Sequence, residues 1–234
     1  MISIIIPVLN EAYTIESLLE HISENTSEIN SIEILVVDGG STDNTKSIVQ
    51  KYSEKSSINI KLITSEKGRA KQMNIGAQAA SKSILYFLHA DSFPPKGFDQ
   101  SIISEVEKGN ITGCFRLKFD ANHPLLKFSE WFTQFNYKFC RGGDQSLFIT
   151  SKAFNSLGGY DESYTIYEDC EFINRLYDQI GFTVINDHIT TSSRKYSKNG
   201  TWKLQFHFTI IHLKKWMGAS PKDLFNYYDR NIVS

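Results

Sequence analysis

The sequence predicts an α/β fold: a single domain whose mostly parallel central sheet is flanked by helices. Two observations carry this reading. Short, fully apolar runs rich in β-branched residues alternate with stretches of helical periodicity through the first 91 residues, the pattern of parallel strands buried on both faces. The runs also end in polar clusters. Asn10-Glu11, residues 38–43 and His89-Ala90-Asp91 follow the first, second and fourth runs, at the carboxyl edge where open α/β sheets bind ligands.

Residues 2–8 are a near-continuous apolar run closed by Pro7 and Asn10; the run is too short, and lacks the basic flank, for a secretory signal. Ile15, Leu18, Leu19 and Ile22 then mark a helix over 10–25. Residues 32–37 form a second strand, ended by the turn-rich Asp38-Gly39-Gly40-Ser41-Thr42-Asp43, and a helix follows at 44–52. A third strand at 58–63, an alanine-containing helix at 69–80 and a fourth strand at 83–88 complete the regular half. Beyond Asp91 the alternation weakens. Pro94-Pro95 breaks the chain before a helix at 97–108, then come a strand at 112–119, a helix at 123–139, a strand at 145–149, a helix at 168–179 and a strand at 182–186. No repeat or linker divides the 234 residues, so one domain, 1–234, is expected.

Charge excludes one class of function. Lys and Arg number 25 against 26 Asp and Glu, so the cation surplus that drives nucleic-acid binding is missing. Cys114, Cys140 and Cys170 form no CxxC pair; free thiols in a reducing cytoplasm are the simplest account. No apolar stretch reaches bilayer-spanning length.

The polar clusters suggest chemistry. In residues 38–43 the glycines permit tight turns, while Asp38, Ser41 and Asp43 offer ribose or base contacts; taken alone, capping of the next helix is the simpler reading. The segment lacks GxGxxG and GxxxxGK[ST], which argues against a Rossmann dinucleotide site or a P-loop. Asp91, just past an apolar strand, could anchor Mg²⁺ or Mn²⁺, since these ions take one or two protein oxygens when a diphosphate and water fill the octahedron. Gly68-Arg69-Ala70-Lys71-Gln72-Met73-Asn74 opens a helix with cations where the macrodipole disfavours them, which points to a bound anion. Glu168-Asp169 begins another helix, where acids are expected for dipole reasons alone; the functional alternative makes one of them a general base. Gly142-Gly143-Asp144-Gln145 would let a ligand approach the backbone, and Gly143, Asp144 and Gln145 are candidate acceptor residues.

Residues Ile4-Ile5-Ile6-Pro7-Val8-Leu9-Asn10-Glu11, Val37-Asp38-Gly39-Gly40-Ser41-Thr42-Asp43, His89-Ala90-Asp91 and Glu168-Asp169 together resemble the ordered motifs of glycosyltransferase family 2. The resemblance implies the GT-A nucleotide-sugar fold, transfer with inversion, and two halves: 1–91 for the nucleotide and 92–234, with C-terminal helices, for the acceptor. It puts Pro7, Asn10, Glu11 and Asp38 at the nucleoside, Asp38 facing the base. Gly39, Ser41, Asp43, Gly68, Arg69, Gln72, Asn74, His89, Ala90 and Asp91 complete the implied donor site. Asp91 matches the last acid of an Asp-x-Asp metal motif whose first acid is here His89, and Asp169 matches the catalytic base, with Glu168 orienting it or the acceptor. The Gln-x-x-Arg-Trp motif of processive polymerases is absent, implying a single transfer to a small-molecule or lipid-linked acceptor from a UDP-sugar or similar donor. A narrower likeness, through residues 68–74, 88–91, Gly143-Asp144-Gln145 and Ser193-Arg194, is to bacterial arsenosugar-biosynthesis or radical-SAM-associated transferases. It makes Arg194 a candidate phosphate ligand and His188 a candidate second metal ligand.

Two rival functions stay open. A sugar nucleotidyltransferase would want a glycine-rich basic loop after the first strand, which Asn10-Glu11 does not supply. A catalytically inactive nucleotide-binding scaffold is kept in play by the acid lost at His89. Near the C-terminus, Trp202, Phe206, Ile210, Leu213 and Met217 share one helical face, and Leu204, Phe208 and Ile211 a second. A helix apolar on so many sides points to burial or a homodimer contact rather than docking at a membrane interface.

Overall fold

A computed structural model describes residues 1–142 and 145–233. Its regular half begins with β1 (Ile2–Val8), α1 (Ile15–Asn25), β2 (Ile32–Asp38), α2 (Thr45–Lys55), β3 (Asn59–Thr64), α3 (Arg69–Ala79) and β4 (Ile84–Phe87). There follow β5 (Ser92–Phe93), α4 (Phe98–Glu107), β6 (Thr112–Phe119), α5 (Pro124–Phe132), β7 (Leu147–Thr150), α6 (Ser151–Ser156), α7 (Glu168–Gln179) and β8 (Thr183–Thr191). The chain closes with α8 (Arg194–Asn199), α9 (Thr201–Trp216) and α10 (Pro221–Tyr228).

All eight strands join one sheet in the order β3-β2-β1-β4-β7-β6-β8-β5. β1 lies parallel to β2 and β4, β2 to β3, and β6 to β8; β7 is antiparallel to both β4 and β6, and β5 to β8. The sheet is therefore mixed, which corrects the expected mostly parallel arrangement. Apolar runs of four residues such as Leu147–Thr150 report burial on both faces but carry no mark of direction.

β1 shows why the first runs are apolar throughout. Ile4, Ile6 and Val8 face one core with Leu18, Leu19 and Ile22 of α1, while Ile5 faces a second core with Met73 of α3 and Phe172 of α7. Sheet and α3 approach closely at Gly76, where a Cβ would lie 2.5 Å from the Ile5 side chain. The polar exception, buried Ser3, donates to Glu33 Oε1 at 2.7 Å, and Glu33 also accepts from the Ser81 amide at 2.6 Å.

Two helices differ from expectation at their ends. The first starts at Ile15 rather than Asn10, because residues 10–14 are turns tied to the neighbouring loop. The helix expected over 123–139 stops at Phe132, where the Thr133 hydroxyl donates to the Glu130 carbonyl at 2.7 Å and accepts from the Leu117 amide of β6 at 3.0 Å. Among the described residues no helix is long and apolar enough to cross a membrane.

Candidate active site

The loops after β1 and β2 are built as one unit. Asn10, at φ +57°, accepts from the Thr42 amide on its Oδ1 at 2.9 Å, while its own amide donates to Ser41 Oγ at 2.8 Å. The Glu11 amide donates to Thr45 Oγ1 at 2.9 Å and the Ala12 amide to Asp43 Oδ2 at 3.1 Å. Asp38 is fully buried and accepts from the amides of Gly40 at 3.0 Å and Ser41 at 3.1 Å. Below the loops, Gln72 Nε2 donates to the Val8 carbonyl at 2.8 Å and the Val37 carbonyl at 2.7 Å, satisfying two acceptors where the ladders end. Gly39 leaves room for this amide, since a Cβ there would sit 2.9 Å from Gln72. In this geometry Asn10, Asp38, Gly39, Ser41, Asp43 and Gln72 hold the shape of the floor.

Beside this unit lies a cavity of about 480 Å³, lined by Pro7, Glu11, Gly68, Arg69, Gln72, His89, Ala90 and Asp91. Helix α3 begins at Arg69, with Gly68 at φ +146° before it, so the first-turn amides and the guanidinium share this wall. Arg194 Nη2 pairs with Glu11 Oε2 of this lining at 3.3 Å. At the far wall Arg69 Nη1 lies 3.0 Å from Glu168 Oε1 and 3.6 Å from Asp169 Oδ2, and His89 Nε2 is also 3.6 Å from Asp169 Oδ2.

The acids occupy the first turn of α7, aligned with its dipole. They are presented by Tyr167, whose φ of +72° is an uncommon backbone state of the kind concentrated at functional sites. Burial, the largest influence, pushes the Glu168 carboxyl up; the Arg69 cation pulls it back, the Asp169 charge adds to burial, and the net position is above the usual range. Burial alone would push the His89 imidazole down, but contact with Asp169 and the charges of Asp169 and Asp91 outweigh burial and the opposing Arg69 cation, and the net direction is upward.

A second cavity, of about 510 Å³, adjoins the first through shared walls at Arg69, Lys195, Tyr196 and Phe208. Its lining is mixed: Phe119, Phe128, Phe132 and Phe139 supply an aromatic part, and Glu168, Asp169, Arg141 and Gln145 are among its polar groups. Gln145 is held in place, donating from Nε2 to the Phe115 carbonyl and accepting from the Gly142 amide, both at 3.2 Å. Gly143 and Asp144 lie outside the described residues.

Of the candidates, Asn10, Asp38, Gly39, Ser41, Asp43, Asn74, His188 and Arg194 line neither cavity. Asn74 donates to the Tyr160 carbonyl and to Glu162, each at 2.9 Å, and accepts from the Tyr160 amide at 2.9 Å, so it staples α3 to the loop before α7. His188 is exposed within β8 and lines neither cavity. Sequence reasoning missed Lys67, Thr165, Ser192, Lys195, Tyr196 and Phe208 on the first cavity; only the nearness of Lys195 and Tyr196 to Ser193-Arg194 could have signalled any of them.

The profile of Glycosyl transferase family 2 matches residues 3–158, about two thirds of the chain. The chain belongs to this family. Among curated relatives it is 36% identical over 106 residues to Glycosyltransferase AglE of Haloferax volcanii, covering 45% of this chain and 35% of that protein. It is 24% identical over 189 residues to the succinoglycan biosynthesis protein ExoA of Rhizobium meliloti, covering 74% and 57% respectively. The chain thus spans about a third to just over half of these relatives. Among solved structures, the mannosyltransferase PcManGT from Pyrobaculum calidifontis, in complex with GDP-Man and Mn²⁺, superposes with a TM-score of 0.70 at 19% identity, over 99% of this chain and 67% of that one. S. aureus TarS 1-349, in complex with UDP-GlcNAc, gives a TM-score of 0.67 at 17% identity, over 82% and 58%. These likenesses fit the GT-A fold.

For a family 2 domain the chemistry of a metal site has to come from few residues. No group of three or more His, Cys, Asp or Glu is arranged for a metal ion among the described residues. Asp91 supplies one hard oxygen on the first cavity, while His89 faces Asp169. A single carboxylate fits Mg²⁺ or Mn²⁺ when a diphosphate brings further oxygens.

Proposed function

We propose that this family 2 domain is an inverting, non-processive glycosyltransferase that moves a sugar from a nucleoside-diphosphate donor, a UDP-sugar or similar, to an acceptor hydroxyl. One observation carries the reading: a cation-walled cavity holding Asp91 and an aromatic cavity meet at Arg69, with Asp169 at their junction. A transferase for two substrates needs two adjoining cavities with a base where they touch. Two of the solved neighbours hold UDP-GlcNAc and GDP-Man in their complexes. The narrower likeness to arsenosugar-biosynthesis and radical-SAM-associated transferases belongs to the same reading.

The roles follow from placement. Arg69, Lys67 and Lys195 line the first cavity and Arg194 pairs with Glu11 of that lining, a set suited to a diphosphate. Asp91 would hold Mg²⁺ or Mn²⁺, which when bound neutralises charge on the departing diphosphate. Asp169 takes the proton of the acceptor hydroxyl as its oxygen bonds to the anomeric carbon; the bond from that carbon to the diphosphate breaks on the opposite face, and the electron pair leaves with the nucleotide. Glu168, bound to Arg69 and more deeply buried, orients the pair.

The test is a screen of UDP- and GDP-sugars, with and without Mn²⁺, for release of nucleoside diphosphate. Release supports transfer chemistry. Pyrophosphate release would instead identify a sugar nucleotidyltransferase, and nucleotide binding without any release a noncatalytic scaffold.

A further inference from the structure

Of the two apolar stripes of α9, one is left open. Trp202, Phe206, Leu213 and Trp216, at helical spacing with Thr209 between them, are 47–84% exposed, whereas Leu204 and Ile211 carry the packing. Thr209 also lines the aromatic cavity, so this stripe runs to its mouth. Two more exposed apolar groups meet the same cavity. Phe128, on its wall, stacks on Trp131 at 6.3 Å, and Phe139, also on its wall, stacks on Tyr137 at 5.5 Å. All four of these rings are more than half exposed. Exposed aromatic side chains therefore flank the cavity, beside the exposed Lys195, Thr209 and His212 of its lining.

Such a rim needs a cover, and the charge beside it decides which. Residues 193–222 hold seven Lys and Arg and no Asp or Glu. A symmetric contact between two copies would set this basic segment against itself, like charge facing like. Trp, Tyr and Phe backed by Lys and Arg instead match the interface of an anionic bilayer, where aromatic rings sit at headgroup level and basic side chains meet acidic lipids.

We propose that the aromatic rim seats on an anionic membrane surface, so that the adjoining cavity receives the apolar chain of a membrane-resident acceptor. The acceptor part rests on the transferase reading above; the docking part does not. Leu117, Phe119, Leu125, Phe128, Phe132 and Phe139 give the lining an apolar side, which suits a chain anchored in lipid with its hydroxyl reaching the acids.

Co-sedimentation of the whole chain with vesicles tests this, comparing phosphatidylcholine alone with phosphatidylcholine carrying about a third phosphatidylglycerol. Binding to the anionic vesicles is expected. A Trp202→Ser, Phe206→Ser, Trp216→Ser variant, altered only at exposed positions that line neither cavity, should bind about tenfold or more weakly. Its circular dichroism and its release of nucleoside diphosphate from donor should match the wild type. Wild-type protein left in the supernatant with anionic vesicles, or a variant that binds as well as wild type, would overturn the proposal. So would a wild-type dimer that the variant converts to monomer without vesicle binding, because a second copy would then be the cover. Vesicle binding without any donor turnover would leave docking standing and sink the transferase reading instead.

Discussion

Replacing Asp169 by Asn separates proton transfer from binding. The amide is nearly isosteric with the carboxylate, so the side chain keeps its place against Arg69 and His89, both 3.6 Å away, but it cannot accept the acceptor's proton. Loss of a positioned base costs on the order of 10²–10⁴-fold in rate, about 3–5 kcal/mol in the barrier. Nucleotide affinity should hardly change. Arg69 stays anchored by Glu168 at 3.0 Å, and Asp169 is absent from the lining of the first cavity, so the binding change should stay within about threefold, or roughly 0.7 kcal/mol. The assay pairs steady-state release of nucleoside diphosphate with calorimetric titration of the nucleoside diphosphate itself. Turnover within tenfold of wild type would refute the base assignment, and an equal loss in both readouts would make Asp169 a binding residue. Glu168→Gln is the control. Its side chain is 2% exposed against 12% for Asp169, so it should lower turnover less; a deeper fall than in Asp169→Asn would exchange the two roles.

Other outcomes follow from the same geometry. Asp91→Ala should weaken Mn²⁺-dependent nucleotide binding by about tenfold or more, as loss of a metal-site group does, while His188→Ala should leave it unchanged; calorimetry with and without Mn²⁺ reads both. Gly39→Ala pushes a methyl to within 2.9 Å of Gln72, and loss of the two Gln72 hydrogen bonds to the Val8 and Val37 carbonyls should cost about 1–3 kcal/mol, seen in denaturant melts; an unchanged midpoint would deny Gln72 its clamping role. Glu33 gives a pH dependence. Burial pushes its carboxyl up, but hydrogen bonds from Ser3 and Ser81 and the Lys61 charge outweigh burial, leaving it below its usual 4.5. Its stabilisation is therefore complete above about pH 4.5 and fades as pH falls through the lowered folded value; Glu33→Gln should lower Tm at neutral pH and flatten the acid limb, and parallel acid limbs in wild type and variant would count against it.

Much of the regular half was legible because burial on both faces writes the same apolar run whatever packs above it. The positions of the loops were legible too, since strand ends show as Asn10, Asp38 and Asp91. What each loop residue does was not. Asp38 and Gln72 carry groups that could contact a nucleoside, yet their hydrogen bonds go to backbone, a matter of partners that sequence spacing does not encode. Asn74 lies on the same helix as Arg69 but is drawn to Tyr160 across 86 positions of chain. The stripes of α9 were visible as stripes; which one faces inward depends on what lies beside the helix. Lys195, Tyr196 and Phe208 reach both cavities without forming any motif.

The mixed sheet leaves the carboxyl-edge argument intact, and the reason is geometric. β7 runs against both β4 and β6, so β6 points the way β4 does, and β8, parallel to β6, follows. With β1, β2 and β3, six strands share one direction, and only β5 and β7 oppose it. The carboxyl ends of β1, β4 and β8 therefore arrive at the same edge although they come from distant parts of the chain. The Ser192 amide, just past β8, donates to the Asp91 carbonyl, just past β4, at 3.1 Å, and both residues line the first cavity with Pro7 and Glu11. One reversed strand between β4 and β6 preserves direction across the seam because β6 reverses again. That double reversal lets the irregular half deliver Ser192, Lys195 and Tyr196 to the edge already prepared by the regular half. Had β8 instead run antiparallel to β6, its carboxyl end would lie at the opposite edge, and Lys195, Tyr196 and Phe208, which follow it in the chain, would not be delivered beside Arg69 as the shared wall of the two cavities.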